Sequence, residues 1–422
     1  MDKGQDPETT TNRRAAQPDV HRLRVPNLNE LDFDRLRTGR LERLQQKLRL
    51  YDLPACLLFS PANIRYATGT DVMGVWTAGT FARYCLVPAE GAPVLFEYRT
   101  SMHVAERIVD DVRPAFSWQF GGGRHAWEKV REWAREIKAT LLELGLDGKR
   151  LAVDRLDGHG FLALQSAGIE VLDAAQATVD AREIKTDDEV ALMKINGGIG
   201  DAMLAAFDDA IRPGIREYEL LAVLGDTLLR HHGEFLMTRL VASGTNSNPW
   251  MSEAHDKLVM PGDLVGVDTD ASGFEGYVID VSRTFLCGDT PTPEQKEAYR
   301  VAHGCVTGML DLVHPGMSFE EFAHAAPRLP EKYREQRYVT MVHTAGLETE
   351  GPGIPYPEDD VGEGLRRTMP DRTIEENMIL CLECYAGEVG APFGVKLEDQ
   401  VVVTATGCER LSVYPYEQKL LA

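Results

Sequence analysis

The sequence predicts an α+β protein of two domains, and three observations carry that reading. Helix and strand signals alternate up to about residue 180. A capping box at Thr186 and Glu189 then opens a long amphipathic helix and changes the pattern. Beyond it, apolar strand-like runs with glycine-bearing turns and isolated carboxylates read as β-hairpins. With 422 residues, 43% of them hydrophobic, each domain is long enough to bury its own core.

Residues 1–25 are polar and rich in Thr, Asn and Pro, the composition of a disordered tail. They contain no apolar core of a signal peptide, and no window approaches the ~18 apolar residues of a membrane helix, so a soluble, cytoplasmic protein is expected. The first domain, residues 26–182, begins with "LDFDRLRTGRLERLQQKLRLYDL", which suits a helix. "PACLLFSPANIRYATG" follows as a buried strand, a turn at Ser60-Pro61 and a second apolar run, and "KRLAVDRL" and "GIEVLDA" continue the alternation. The second domain, residues 183–422, opens at "REIKTDDEVALMKINGGIGDAMLAAF", where Leu192, Ile195, Ile199, Met203 and Ala206 recur at helical spacing. Within it, "DDAIRPGIREYELLAVL" and "LDLVHPGMSFEEFAHAA" share an apolar helix end, a Pro-Gly turn and a Glu six residues after the Pro, Glu219 and Glu321. Either an internal duplication or a commonplace helix–turn–helix explains that pair.

A surplus of 66 acidic over 45 basic side chains gives a formal charge of −21, which repels nucleic acid and anionic membranes. It names no substrate, since surplus acid usually forms a solvated surface. Seven cysteines, odd in number and scattered, read as reduced thiols rather than a disulfide framework. In "CLEC", Cys381 and Cys384 point to opposite faces of a strand and share neither a metal nor a disulfide.

The chemistry is carried by "VDTDASGFEGYVIDVSRTF", residues 267–285. On a strand Asp268 and Asp270 share a face, and a hairpin return through "ASGFEG" brings Asp280 opposite them. Three crowded carboxylates repel and raise one another's pKa unless a cation neutralises them; otherwise they cap turns. A second hairpin, "NMILCLECYAGEVGAPFGVKLEDQVVVT", carries Glu383 and Glu398 in apolar runs where an unpaired carboxylate is costly. His343 ends an apolar run in "YVTMVHTAGLETEGP". Oxygen-rich ligands with one imidazole suit Mn, Fe, Co or Zn rather than a structural zinc site. His255, His303, His314 and His324 read as surface or core residues.

The order Asp, Asp, His, Glu, Glu in these segments resembles the pita-bread metallopeptidase family that includes methionine aminopeptidase, prolidase and creatinase. "NIRYATG" is similar to that family's creatinase-like N-terminal domain, and "REIKTDDEVALMK" to the entry into its catalytic domain. The resemblance implies a creatinase-like α/β domain followed by a pita-bread domain, a duplicated antiparallel sheet covered by helices, in a homodimer. It implies one or two transition-metal ions, iron before Mn, Zn or Co, on Asp268, Asp270, Asp280, His343, Glu383 and Glu398.

Prolidase-like members carry a His after the Pro matching that of "ASGTNSNPW" and another before the Glu of "LETEGP"; this chain has Trp250 and Thr349 there. "TNSNPWMSEA", "GYVIDVSRT", "RLPEKYREQRYVTMVH" and "GVKLEDQVVVT" resemble instead the dimethylsulfoniopropionate lyases of the superfamily. That branch implies a metal-dependent carbon–sulfur lyase acting on a small zwitterion, with Tyr338 matching a pocket tyrosine. Trp76 and Trp250 are further aromatic faces for a cation, or packing residues. The lyases have an Asp where this chain has Thr349, so the base falls to the flanking Glu350 or Glu348, unless Glu350 is a structural hydrogen-bond acceptor. The alternative is an Xaa-Pro dipeptidase or aminopeptidase-like hydrolase; a silent binding module is disfavoured because all six ligands remain.

Overall fold

A computed structural model describes residues 31–71, 74, 81–118, 123–357, 360–361, 365–366 and 370–422. The polar tail and Trp76 lie outside the described residues. The N-terminal unit is built on a six-stranded mixed sheet in the order Val112–Pro114, Val94–Glu97, Tyr84–Pro88, Ala55–Leu58, Arg150–Val153, Glu170–Asp173. Helix Phe33–Leu50 begins where the Asp32 carboxylate accepts from the Asp34 and Arg35 amides, relieving the unpaired donors of the first turn. The second apolar run forms the helix Pro61–Thr68, because Pro61 at its first turn needs no amide partner and Gly69, at φ 72°, ends it. One side of the sheet is filled by aromatic side chains, Tyr84, Phe96, Trp118 and Trp133 among them.

Thr186 caps the helix Asp187–Ala210: its hydroxyl accepts from the Glu189 amide at 3.2 Å while Glu189 accepts from the Thr186 amide at 2.8 Å. Among the described residues this is the one helix long and apolar enough by composition to cross a membrane, which the sequence reading did not anticipate. Its apolar side chains, including Leu192, Ile199, Met203 and Phe207, are buried in the core.

The two similar Pro-Gly segments follow one path. Helices Asp187–Ala210 and Pro293–Leu312 each end on an extended residue, Ile211 or Val313, followed by a glycine of positive φ, Gly214 or Gly316. Each then enters a helix, Glu217–Arg230 or Phe319–Ala325, where the Glu219 or Glu321 carboxylate accepts from the amide of the N-cap residue, Arg216 or Ser318. Hairpins come after each pair. Leu264–Asp268 pairs with Ser282–Leu286, and Ala271–Ser272 with Val278–Ile279. The five-stranded antiparallel sheet runs Thr349–Ile354, Val342–Ala345, Ile379–Gly387, Gly394–Thr404, Gly407–Arg410. Its two long strands are buried almost throughout, which is why they read as continuous apolar runs rather than alternating ones. All seven cysteines are free.

Candidate metal centre

Register places the carboxylates. In the first hairpin Ser282 faces Asp268 and Ile279 faces Ala271, so the same register sets Asp270 opposite Asp280 in the gap between the two ladders. Asp270 has φ 29°, a left-handed turn of the backbone that an aspartate tolerates better than most residues. In the second hairpin Glu383 stands directly opposite Glu398, and His343 opposite Cys381 on the adjoining strand. The structure thus brings all six predicted residues to one centre, where Asp268, Asp270 and Asp280 form one cluster and Asp280, His343 and Glu398 another. Asp280 is common to both.

The donor set fits a cation. Four buried carboxylate oxygens, Asp268 Oδ1, Asp280 Oδ2, Glu383 Oε1 and Glu398 Oε1, have no hydrogen-bond partner, a costly state for charged oxygens out of water. His343 Nε2 lies 3.5 Å from Asp280 Oδ2, 3.6 Å from Glu383 Oε1 and 3.4 Å from Glu398 Oε1. These spacings are long for hydrogen bonds, but donors sharing one metal at about 2.1 Å stand about 3.0–3.4 Å apart. His343 Nδ1 meets the Thr344 carbonyl at 3.1 Å, a bond that leaves Nε2 free to ligate.

The electrostatics describe an acid cluster lacking enough positive charge. Burial, above all, pushes Asp268 up to about 7 and Glu383 up to about 8, against the pull of Lys396. Burial and the carboxylates Glu398 and Asp270 push Asp280 well above its usual range. Against the burial that would raise it, Lys396 and His343 hold Glu398 well below the ordinary value. Burial alone would lower His343, but Glu398 and Glu383 carry it up to about 9.

Two further residues stand at the centre that were not assigned to it from sequence: Lys396, and Cys381, which was read only as one half of a CxxC pair. Lys396 Nζ, buried, lies 3.0 Å from Asp268 Oδ2, 2.9 Å from Glu383 Oε2 and 2.8 Å from Glu398 Oε2. The Cys381 thiol comes close to the Asp280, His343 and Glu398 donors, although it also accepts from Gln400 Nε2 at 3.7 Å. The signal was present in the period of two: Lys396 precedes Glu398, and Cys381 precedes Glu383, by two residues and so shares its face.

The remaining predicted residues divide. Tyr338 is half-buried with Lys396 Nζ 4.9 Å from its ring centre, and burial, then Glu383, raise its phenol far above the usual range, so it stays a hydrogen-bond donor rather than a base. Of the two readings of Trp250, cation-binding face or packing residue, the surroundings match packing. Trp250 is only 8% exposed and packs with Leu240 and Tyr385, and Lys396 Nζ lies 5.9 Å from its ring centre. Glu350 is corrected as the base: it pairs in register with Thr344, on the sheet face opposite His343, and its carboxylate meets Arg182 Nε at 3.1 Å and Lys185 Nζ at 3.3 Å. Thr349 is exposed. Glu348, in the preceding turn, lines a cavity of about 700 Å³ between the two units, together with Arg65, Asp71, Arg155, Glu234 and Ser272. It is held there by Arg182 Nη2 at 3.2 Å and by the Ser60 hydroxyl, which donates to it at 3.3 Å. Ser272 follows Asp270 by two residues, so the cavity abuts the first hairpin.

A family model for metallopeptidase family M24 matches residues 191–405, and one for the creatinase/prolidase N-terminal domain matches residues 40–184. The chain is 32% identical over 399 residues to dimethylsulfoniopropionate lyase DddP of Roseovarius nubinhibens, spanning 92% of this chain and 88% of that one. It is 29% identical over 238 residues to the Xaa-Pro dipeptidase of Pyrococcus furiosus, spanning 55% of this chain and 64% of that one. Among solved structures, the prolidase of Thermococcus sibiricus superposes with a TM-score of 0.75 at 22% identity, covering 92% of this chain and 99% of that one.

Proposed function

The chain belongs to metallopeptidase family M24, with a creatinase-type N-terminal domain ahead of a pita-bread catalytic domain, and from that premise we propose that it is a metal-dependent carbon–sulfur lyase. The proposed substrate is dimethylsulfoniopropionate or a related small zwitterion. The observation that carries the reading is Trp250: where prolidase-like enzymes place a histidine, this chain has a buried indole packed on Tyr385, and Thr349 replaces the second. Hydrolysis of a peptide bond loses two imidazoles, whereas an elimination needs neither. The sequence match to the DddP lyase, 32% over 399 residues against 29% over 238 for the Xaa-Pro dipeptidase, supports the same choice.

Asp268, Asp270, Asp280, His343, Glu383 and Glu398 would hold a divalent metal, and the Lewis acidity it would supply is the withdrawal of electron density from the substrate carboxylate that makes the adjacent α C–H more acidic. The chain's residues do the rest. Glu348, on the cavity wall, takes the α proton; that electron pair forms the carbon–carbon double bond as the C–S bond breaks and sulfur leaves with its bonding pair. The products are dimethyl sulfide and acrylate. Tyr338 donates a hydrogen bond from the half-buried edge of the centre.

The test is headspace detection of dimethyl sulfide from the metal-reconstituted enzyme, beside release of proline from an Xaa-Pro dipeptide. Dimethyl sulfide with equimolar acrylate is expected, and Thr349→Asp should raise it by restoring a carboxylate where the lyases have one. Dipeptide cleavage without dimethyl sulfide, in the wild type and in Thr349→Asp, would transfer the assignment to the hydrolases.

A further inference from the structure

Three ligand carboxylates divide their oxygens in the same way. Asp268, Glu383 and Glu398 each turn one oxygen, Oδ2 or Oε2, to Lys396 Nζ at 2.8–3.0 Å. Each keeps the other, Oδ1 or Oε1, without a partner. The ammonium has a further contact with Ser282 Oγ at 3.0 Å, and that hydroxyl in turn donates to Glu398 Oε2 at 2.9 Å. The rings of Tyr338 and Trp250 cover it. With 1% of its side chain exposed, Lys396 has exchanged its water for these groups.

Why a lysine stands here follows from charge and shape. Five carboxylates, Asp268, Asp270, Asp280, Glu383 and Glu398, converge where water does not screen them, and their mutual repulsion opposes closing the hairpins. A cation carried by the chain offsets part of that repulsion at once, before any metal is acquired. An ammonium presents its three donors from one point, which suits carboxylates arriving from three strands; a planar guanidinium fork does not.

We propose that Lys396 is a resident counter-cation and positioning residue of the metal centre. It clamps one oxygen of each of three ligands, so the fold tolerates the acid cluster without metal and each carboxylate presents its free oxygen to the ion. The inference rests on the metal-centre reading of the same cluster.

Calorimetry on the full chain, stripped of metal with chelator and then dialysed, tests it. Stripped Lys396→Met should melt about 5–15 °C below stripped wild type, the scale of a broken buried ion pair. Added Mn²⁺ should close most of that gap, because a second cation restores neutralisation, and the rise it causes should exceed that in wild type. The stripped double variant Lys396→Met with Glu383→Gln, which removes one negative charge with the positive one, should recover at least half of the loss. A stripped Lys396→Met that melts within about 2 °C of wild type overturns the inference. So does a gap that neither Mn²⁺ nor the second substitution narrows, which would make Lys396 a packing residue. If Lys396→Met does not fold, a soluble double variant supports the inference and an insoluble one overturns it. Failure of the metal reading registers separately, as wild type that retains no metal by elemental analysis and gains no melting temperature with Mn²⁺; the positioning role falls with it.

Discussion

Glu348 and Glu350 lie two residues apart and have different surroundings. Glu350 is locked between Arg182 and Lys185, so Glu350→Gln should cost about 3–5 kcal/mol of stability by leaving buried cations half-paired, with turnover of the folded fraction little changed. Thermal melting and specific activity separate the two effects. Glu348→Gln should do the reverse, lowering kcat by roughly 10²- to 10⁴-fold while metal content and melting stay near wild type. Acidity at the centre makes metal uptake pH-dependent. Without metal, Asp268 at about 7, Glu383 at about 8 and His343 at about 9 each hold a proton over part of the neutral range. An ion binds only the deprotonated forms, so its affinity should climb from pH 6 to pH 9 with release of protons. Competition with a chromophoric chelator across that range reads it, and a flat profile would contradict the protonated cluster.

At the scale of elements, the hairpins and their facing carboxylates were readable from sequence because an isolated acid in an apolar strand run is conspicuous, and the period of two says which acids share a face. The paired Pro-Gly turns were readable too, since Gly214 and Gly316 occupy positive-φ turns between helices with matching caps. Lys396 and Cys381 were not, because a basic side chain or a thiol in a buried strand announces nothing until its strand neighbour, Glu398 or Glu383, is known to point inward. Glu350 misled for a related reason: its place next to Thr349 in sequence put it on the other face of the sheet. Trp250 shows the limit of composition. An aromatic residue in a pocket segment reads equally as a cation-binding face or as packing, and here the cation beside it belongs to the chain. Trp250→Ala should therefore cost about 3–5 kcal/mol and weaken charged and neutral ligands alike, whereas Trp250→Phe, which keeps a ring over Gly266 and Lys396, should lose less. Paired inhibition by a sulfonium compound and its neutral isostere measures the difference; selective loss of the sulfonium would return Trp250 to substrate recognition.

Across the whole molecule, the N-terminal unit does more than precede the catalytic one. Ser60 and Arg182 reach across to Glu348, and Arg65 pairs with Glu234 at 2.7 Å, so both units wall the cavity that Glu348 lines. Everything proposed for that cavity depends on the acid cluster being a metal centre. Elemental analysis of the protein purified without chelator, then reloaded in turn with Fe²⁺, Mn²⁺, Co²⁺ and Zn²⁺, tests this directly. One to two equivalents per chain in the wild type are expected, falling to background in Asp280→Ala, whose carboxylate both clusters share. Wild type that retains none of the four ions, or Asp280→Ala that retains as much as wild type, would contradict it.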